Sequence, residues 1–332
     1  MEILNAGTTN EIETANTNLL NELKAGDSSI DADTYGGVMN LTDGTKGILT
    51  EFDERIKLHA SATSKDKIKI VPPNILPSPF SALPPTFIND SYQIGICEMG
   101  QSNMEGYSGN NTHTIPADTG YFYNVSTRQL EHLLEDRGDG TGSHATYFAS
   151  RLYNNTSLNV IPVMTECASD GSGMTSESNE SNNWSSTGSL RASTAAKVSD
   201  LLEDIGTTIP IALWCQGEKD ADHMDSNPET YTKSVVKTGM QDIINWWFNL
   251  YPNSYFFISQ TGKNMNGDTT GYQTIRQVQT EICDENDRVY MAFNGAIDFT
   301  WAKMKDSLHY NNLGQQDMGE SFADKIIDVL NL

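Results

Sequence analysis

The chain has 332 residues and sets 44 Asp and Glu against 21 Lys and Arg, a formal net charge of −23. That balance argues against nucleic acid as a partner, because a phosphate backbone is bound through clustered Lys and Arg, and it disfavours an anionic membrane surface. No apolar run reaches the ~20 residues that span a bilayer, and the opening Met1-Glu2-Ile3-Leu4-Asn5 lacks the basic flank and apolar stretch of a secretory signal. Synthesis in a reducing cytoplasm is therefore expected, with a cytoplasmic or a virion-associated location both open.

Two helix-like stretches come first. Ile12, Leu19, Leu20 and Leu23 mark one, and Ile48, Phe52 and Ile56 recur at i, i+4, i+8 in the other. Residues 1–70 hold too few apolar side chains for a core of their own, so they read as an attachment or oligomerisation segment. A run containing Pro72, Pro73, Pro77, Pro79, Pro84 and Pro85 follows. Proline lacks the N–H and restricts its predecessor, so residues 71–90 read as an extended linker.

From residue 91 apolar β runs alternate with helical patterns. Strands are predicted at 92–98, 160–165, 209–215, 255–260 and 289–293, and helices at 143–153, 190–205, 228–250 and 272–283. A last helix carries Met318, Phe322, Ile326 and Leu330 at i, i+4 spacing. Continuous apolar strands alternating with helices imply a parallel sheet covered on both faces, a three-layer α/β/α body. Functional loops in such folds follow the carboxyl ends of the strands. Cys97, Cys167, Cys215 and Cys283 show no C-x-x-C spacing, and they read as reduced thiols.

Three segments at those strand ends carry chemistry. Gly100-Gln101-Ser102-Asn103-Met104 places a serine at a strand-to-helix turn, where its Oγ is exposed for attack and its N–H is free for an oxyanion. A turn serine capping a helix would look the same. Trp214-Cys215-Gln216-Gly217-Glu218 puts an amide at a strand end, able to donate to an oxyanion, with an acid beside it; a polar turn is the plain alternative. Asp306-Ser307-Leu308-His309 spaces a carboxylate and an imidazole so that one can orient the other. Together they supply a nucleophile, a base, an orienter and an oxyanion donor along one sheet edge.

Over residues 91–332 these segments resemble the SGNH-hydrolase superfamily, in particular its sialate O-acetylesterase-like carbohydrate esterases. The resemblance implies a five-stranded, flavodoxin-like parallel sheet, with Ser102 as nucleophile, His309 as base and Asp306 as orienter. It implies an oxyanion hole made by the Ser102 N–H, a second-block glycine placed here at Gly142, and the Gln216 amide. Gln101, Asn103 and Glu218 are implied as supporting residues, Glu218 sharing the orienting task or acting structurally. A loop with Gly171 and Trp184 corresponds to a family loop, and Trp184 there can stack on a sugar face or dock its own loop.

The remaining clusters read plainly. Asp220, Asp222, His223 and Asp225 form a solvated acidic loop, since Met224 breaks a calcium-loop pattern and no H-E-x-x-H occurs. Glu135 to Gly140 is a turn, and His113, His132 and His144 lack metal-ligand spacing. The expected function is removal of O-acetyl groups from a carbohydrate through an acetyl-serine, with an acetylated oligo- or polysaccharide as partner and no metal or organic cofactor. The enzyme would act alone or within a phage virion or cell-surface assembly. The alternative is a non-catalytic carbohydrate-binding or structural protein on an esterase-like fold.

Overall fold

A computed structural model describes residues 37–40, 46–49, 87–88, 91–109, 113–135, 142–156, 159–206 and 209–332. The chain divides into two compact units, essentially Met1–Ala82 and Leu83–Leu330. In the first, β1 (Gly37–Asn40) and β2 (Lys46–Leu49) pair antiparallel. Ile48 thus lies in a strand, not in the helix that its spacing to Phe52 and Ile56 predicts: cross-strand pairing with Val38 takes the place of a helical repeat. Phe52, Ile56, the stretch from Ile12 to Leu23 and the prolines from 72 to 85 lie outside the described residues.

The second unit is built on one twisted sheet. After β3 (Phe87–Ile88) come β4 (Ser91–Gly100), the short helix α1 (Ser102–Glu105), β5 (Tyr121–Asn124), β6 (Gln129–His132), α2 (Ala145–Asn155), β7 (Ile161–Glu166) and α3 (Ser189–Ile205). There follow β8 (Pro210–Cys215), α4 (Glu218–Ser226), α5 (Lys233–Leu250), β9 (Tyr255–Ser259), α6 (Thr270–Glu285), β10 (Val289–Phe293) and α7 (Asn312–Leu330). Strand order is β10-β9-β8-β4-β7-β5-β6, with β3 antiparallel on β4. All pairs from β10 to β5 are parallel, and β6 runs antiparallel to β5. The predicted strands form the continuous run from β10, at one edge, to β7. The β5–β6 pair and β3 are additional, and β3 brings Phe87 and Ile88 into a stretch read as linker.

Alternation along the strands decides what each face buries. Cys97, Met99, Ala212, Trp214, Phe256 and Ile258 meet Val198 and Leu202 of α3, Ile243 and Trp247 of α5, and Ile275 and Val278 of α6 in one core. On the opposite face Glu98 meets His144 at the start of α2 (3.2 Å), and the His144 ring tilts against Phe322 of α7. The body is therefore three-layered, with β4 at its centre and the ends of β4 and β8 aligned by the pairs Met99–Trp214 and Gly100–Cys215. All four cysteines are free. Burial pushes the Cys97 and Cys215 thiols well up and that of Cys283 to about 12.

Two helix expectations change. The predicted helix 228–250 begins only at Lys233, because Asn227 to Thr232 turns the chain between α4 and α5. The acidic stretch at 220–225 is helical, not a solvated loop, and Asp220 is fully buried inside it.

Candidate active site

The end of β4 dictates the position of Ser102. Gly100 has φ +132°, and a Cβ there would stand 2.0 Å from the Cys215 carbonyl oxygen. Only glycine lets β4 run this close to β8 and then turn. The Gln101 N–H donates to the Cys215 carbonyl (3.0 Å), and Ser102 opens α1 with its side chain at the floor of the site, 1 % exposed.

The loop before α7 brings the base. His309 Nε2 lies 3.0 Å from Ser102 Oγ, and His309 Nδ1 lies 2.9 Å from Asp306 Oδ2. An ionised carboxylate only accepts, so Nδ1 carries the proton and Nε2 is left to accept from the serine hydroxyl. Asp306 Oδ1 accepts the N–H groups of Leu308 and His309, both at 2.8 Å. Partial burial pushes the Asp306 carboxyl up, but these hydrogen bonds and the imidazole outweigh it and hold it below the usual Asp value. The Tyr107 ring stacks on His309 with centroids 5.2 Å apart. Nothing in the sequence pattern marked Tyr107.

Asn103 ties the serine turn to the histidine loop. Its Nδ2 donates to Glu218 Oε1 (2.7 Å) and to the Leu308 carbonyl (3.3 Å), its Oδ1 accepts the Tyr310 N–H (3.0 Å), and its own carbonyl accepts Gln315 Nε2 (3.0 Å). Glu218 thus sits behind the site as a buried brace. Burial raises its carboxyl above the usual range, against the lowering effect of Asn103. The Gln101 side chain accepts the Lys219 N–H (3.3 Å) and fastens α1 to α4.

Two expectations are corrected. Gln216 is fully buried, and its Nε2 is engaged by the Ser172 carbonyl (2.6 Å) and by Asp220 Oδ2 (3.1 Å). With both amide hydrogens committed, it offers none to an oxyanion. Trp184 is fully buried, edge-on to Trp214 at 5.4 Å, with its indole N–H on Ser172 Oγ; it docks its own loop and presents no face to a sugar. Both belong to a polar network missed in the sequence. Asp220 accepts the Met174 N–H and the Tyr231 hydroxyl, and Ser172 Oγ bonds Gly100 O and Gln216 Oε1. Only the unusual density of Ser, Thr and Asn after β7 hinted at it.

The glycines separate. Gly142 stands against Gly106, its carbonyl accepting the Ser108 N–H (3.3 Å). Gly171 lies in the turn that Ser169 N–H and Ser172 Oγ fasten to Gly100 O (3.0 and 3.1 Å); its φ is +61° and the space at its Cβ position is open. Among the described residues no group of three or more His, Cys, Asp or Glu is arranged to hold a metal ion, and no helix is long and apolar enough to cross a membrane. The residues Asp136 to Gly140 lie outside the described part.

No protein-family model matches the chain, and no curated protein matches it in sequence. Solved structures do match in fold. The crystal structure of NanS aligns with 74% of this chain and 99% of its own, at a TM-score of 0.55 and 12% identity. The fold is SGNH-like. A carbohydrate acetylesterase from Xanthomonas citri (TM-score 0.48, 15% identity, 72% of this chain and 56% of that one) and a family 3 carbohydrate esterase from Clostridium thermocellum (0.43, 16%, 72% and 98%) also align. In this SGNH-like body Ser102 and His309 sit where Gly100 and the α7 loop meet, at the carboxyl edge of the sheet.

Proposed function

We propose that the protein is a serine esterase that removes O-acetyl groups from a carbohydrate. The observation that carries this is the continuous relay from Ser102 Oγ through His309 to Asp306, at 3.0 and 2.9 Å. Ser102 Oγ attacks the acetyl carbonyl as His309 Nε2 takes its proton, and Asp306 stabilises the imidazolium that forms. The C–O bond to the sugar breaks as His309 returns the proton to the departing hydroxyl. Water then attacks the acetyl-serine by the same route, releasing acetate.

The backbone N–H of Ser102 supports the oxyanion, being at the open start of α1. With Gln216 committed elsewhere, the Gly142 N–H stays our candidate for the second donor, and the turn at Gly171, whose neighbours Ser169 and Ser172 bond the Gly100 carbonyl, is the alternative. A serine only 1 % exposed favours a small acyl group such as acetyl. The carbohydrate part of the reading rests on the motif resemblance and on the carbohydrate esterases that share the fold. Acetate release from a panel of acetylated polysaccharides tests it: release from at least one is expected, and hydrolysis confined to simple aryl esters contradicts it.

A further inference from the structure

The His309 imidazole is held at its two nitrogens by the relay and on its face by a residue that the relay does not use. The side chain of His309 is 20 % exposed and that of Asp306 47 %, so the carboxylate that orients the ring stands half in solvent, where an ion pair restrains weakly. The hydrogen bonds at Nδ1 and Nε2 (2.9 and 3.0 Å) act along the plane of the ring. They fix an axis through the two nitrogens and leave the ring free to turn about it. The Tyr107 ring removes that freedom, stacking on His309 with planes 23° apart and centroids 5.2 Å apart.

Tyr107 is itself held from both sides of the site. Just after α1 the Gly106 N–H donates to the Ser102 carbonyl (2.9 Å). Gly106 has φ +106° and packs so closely that a Cβ there would lie 2.5 Å from Ser143 Cβ. Beyond Tyr107 the Ser108 N–H donates to the Gly142 carbonyl (3.3 Å). From the other side Lys305 Nζ stands 5.5 Å from the Tyr107 centroid, and its stem crosses Gly109, where a Cβ would lie 3.3 Å from Lys305 Cε. Lys305 and His309 share one tight loop, closed by the Lys305 N–H on the His309 carbonyl (2.8 Å). The tyrosine therefore joins the serine turn to the histidine loop through its ring.

We infer that Tyr107 is a positioning residue that keeps the His309 imidazole in line for the second half of the reaction. This rests on the esterase reading above. In the resting relay Ser102 Oγ donates to Nε2. Once Oγ carries the acetyl group it has no proton to donate, and that anchor is gone. Asp306 and Tyr107 then hold the ring while water is activated. The water oxygen bonds to the acetyl carbon as its proton passes to Nε2, and the C–O bond to Ser102 breaks as the proton returns to Oγ, releasing acetate. A base turned out of line loses rate steeply, so the stack matters most at this step.

The test follows wild type, Tyr107→Phe and Tyr107→Leu on 4-nitrophenyl acetate. Its leaving group departs without needing a proton, so acylation is fast and deacylation sets kcat. An aromatic stack is worth about threefold to tenfold in rate. Tyr107→Leu is expected to lower kcat by that factor with kcat/KM within about twofold, and to lengthen the life of acetyl-Ser102 by the same factor, read by acid quenching and mass spectrometry. Tyr107→Phe, which keeps the ring, is expected to stay within about twofold of wild type in both measurements. Tyr107→Met repeats the comparison if the leucine variant does not fold. A fall of kcat and kcat/KM together, or acetyl-Ser102 decaying equally fast with and without the ring, overturns the proposal. A wild type that never forms acetyl-Ser102 refutes the esterase itself, whereas acetyl-Ser102 of equal lifetime in every variant refutes only the role of Tyr107.

Discussion

At the scale of single residues, the relay assigns separate tasks to two acids. Asp306 fixes the His309 tautomer, so Asp306→Asn is expected to lower kcat by about 10⁴. Glu218 braces Asn103 from behind, so Glu218→Gln, which keeps the hydrogen bond in reach, is expected to cost far less. A reversed order in steady-state rates would make Glu218 the orienter. The Asp306 carboxyl titrates below its usual value, so its contribution to stability is present above the ordinary Asp range and is lost as pH falls through its own lower pKa. Urea unfolding is expected to show a gap between wild type and Asp306→Asn that shrinks from pH 7 towards pH 3; a gap that widens in acid would contradict the assignment. Gln216 belongs to the buried network, so Gln216→Ala is expected to appear as lost stability. Leaving Asp220 and Ser172 short of partners costs about 1–3 kcal/mol, read by denaturation. A loss of about 10²–10³ in kcat at unchanged stability would return it to the oxyanion hole.

At the scale of elements, two glycine turns differ in a way that mutation reads out. Gly100→Ala drives a Cβ into the Cys215 carbonyl and is expected to abolish the joint between β4 and β8, giving insoluble or unfolded protein. Gly171→Ala meets open space and bears only the left-handed strain of about 1–2 kcal/mol, a Tm drop of several degrees by calorimetry. Trp184→Ala is expected to cost about 3–5 kcal/mol as a cavity in the core. The central strands were legible because strands buried on both faces are nearly all apolar, as Ile211 to Cys215 and Tyr255 to Ile258 are. β5 and β6 were not, because an edge pair with mostly half-buried or exposed side chains leaves no such run. The serine, the histidine and the aspartate were legible as a set, since their order and place after strands restrict the chemistry. The fates of Gln216 and Trp184 were not, because the motif gives the residue type at a strand end but not which way a buried polar side chain finds its partners.

At the scale of the whole molecule, the relay of Ser102, His309 and Asp306 lies entirely within the unit Leu83–Leu330. We propose that residues 1–70 serve attachment or self-association, because their apolar side chains are too sparse for a separate core and symmetric association is the commonest way to bury such stripes. Deleting residues 1–82 is expected to leave an active esterase of lower association state by light scattering. An inactive or insoluble product would make the segment part of the catalytic body. The central claim, that Ser102 is the nucleophile of an O-acetylesterase, meets its most direct test in acetate release by purified wild type and Ser102→Ala from the same acetylated polysaccharide. The relay predicts steady release by wild type and a loss on the order of 10⁶ in the folded variant; release by Ser102→Ala near the wild-type rate would contradict it.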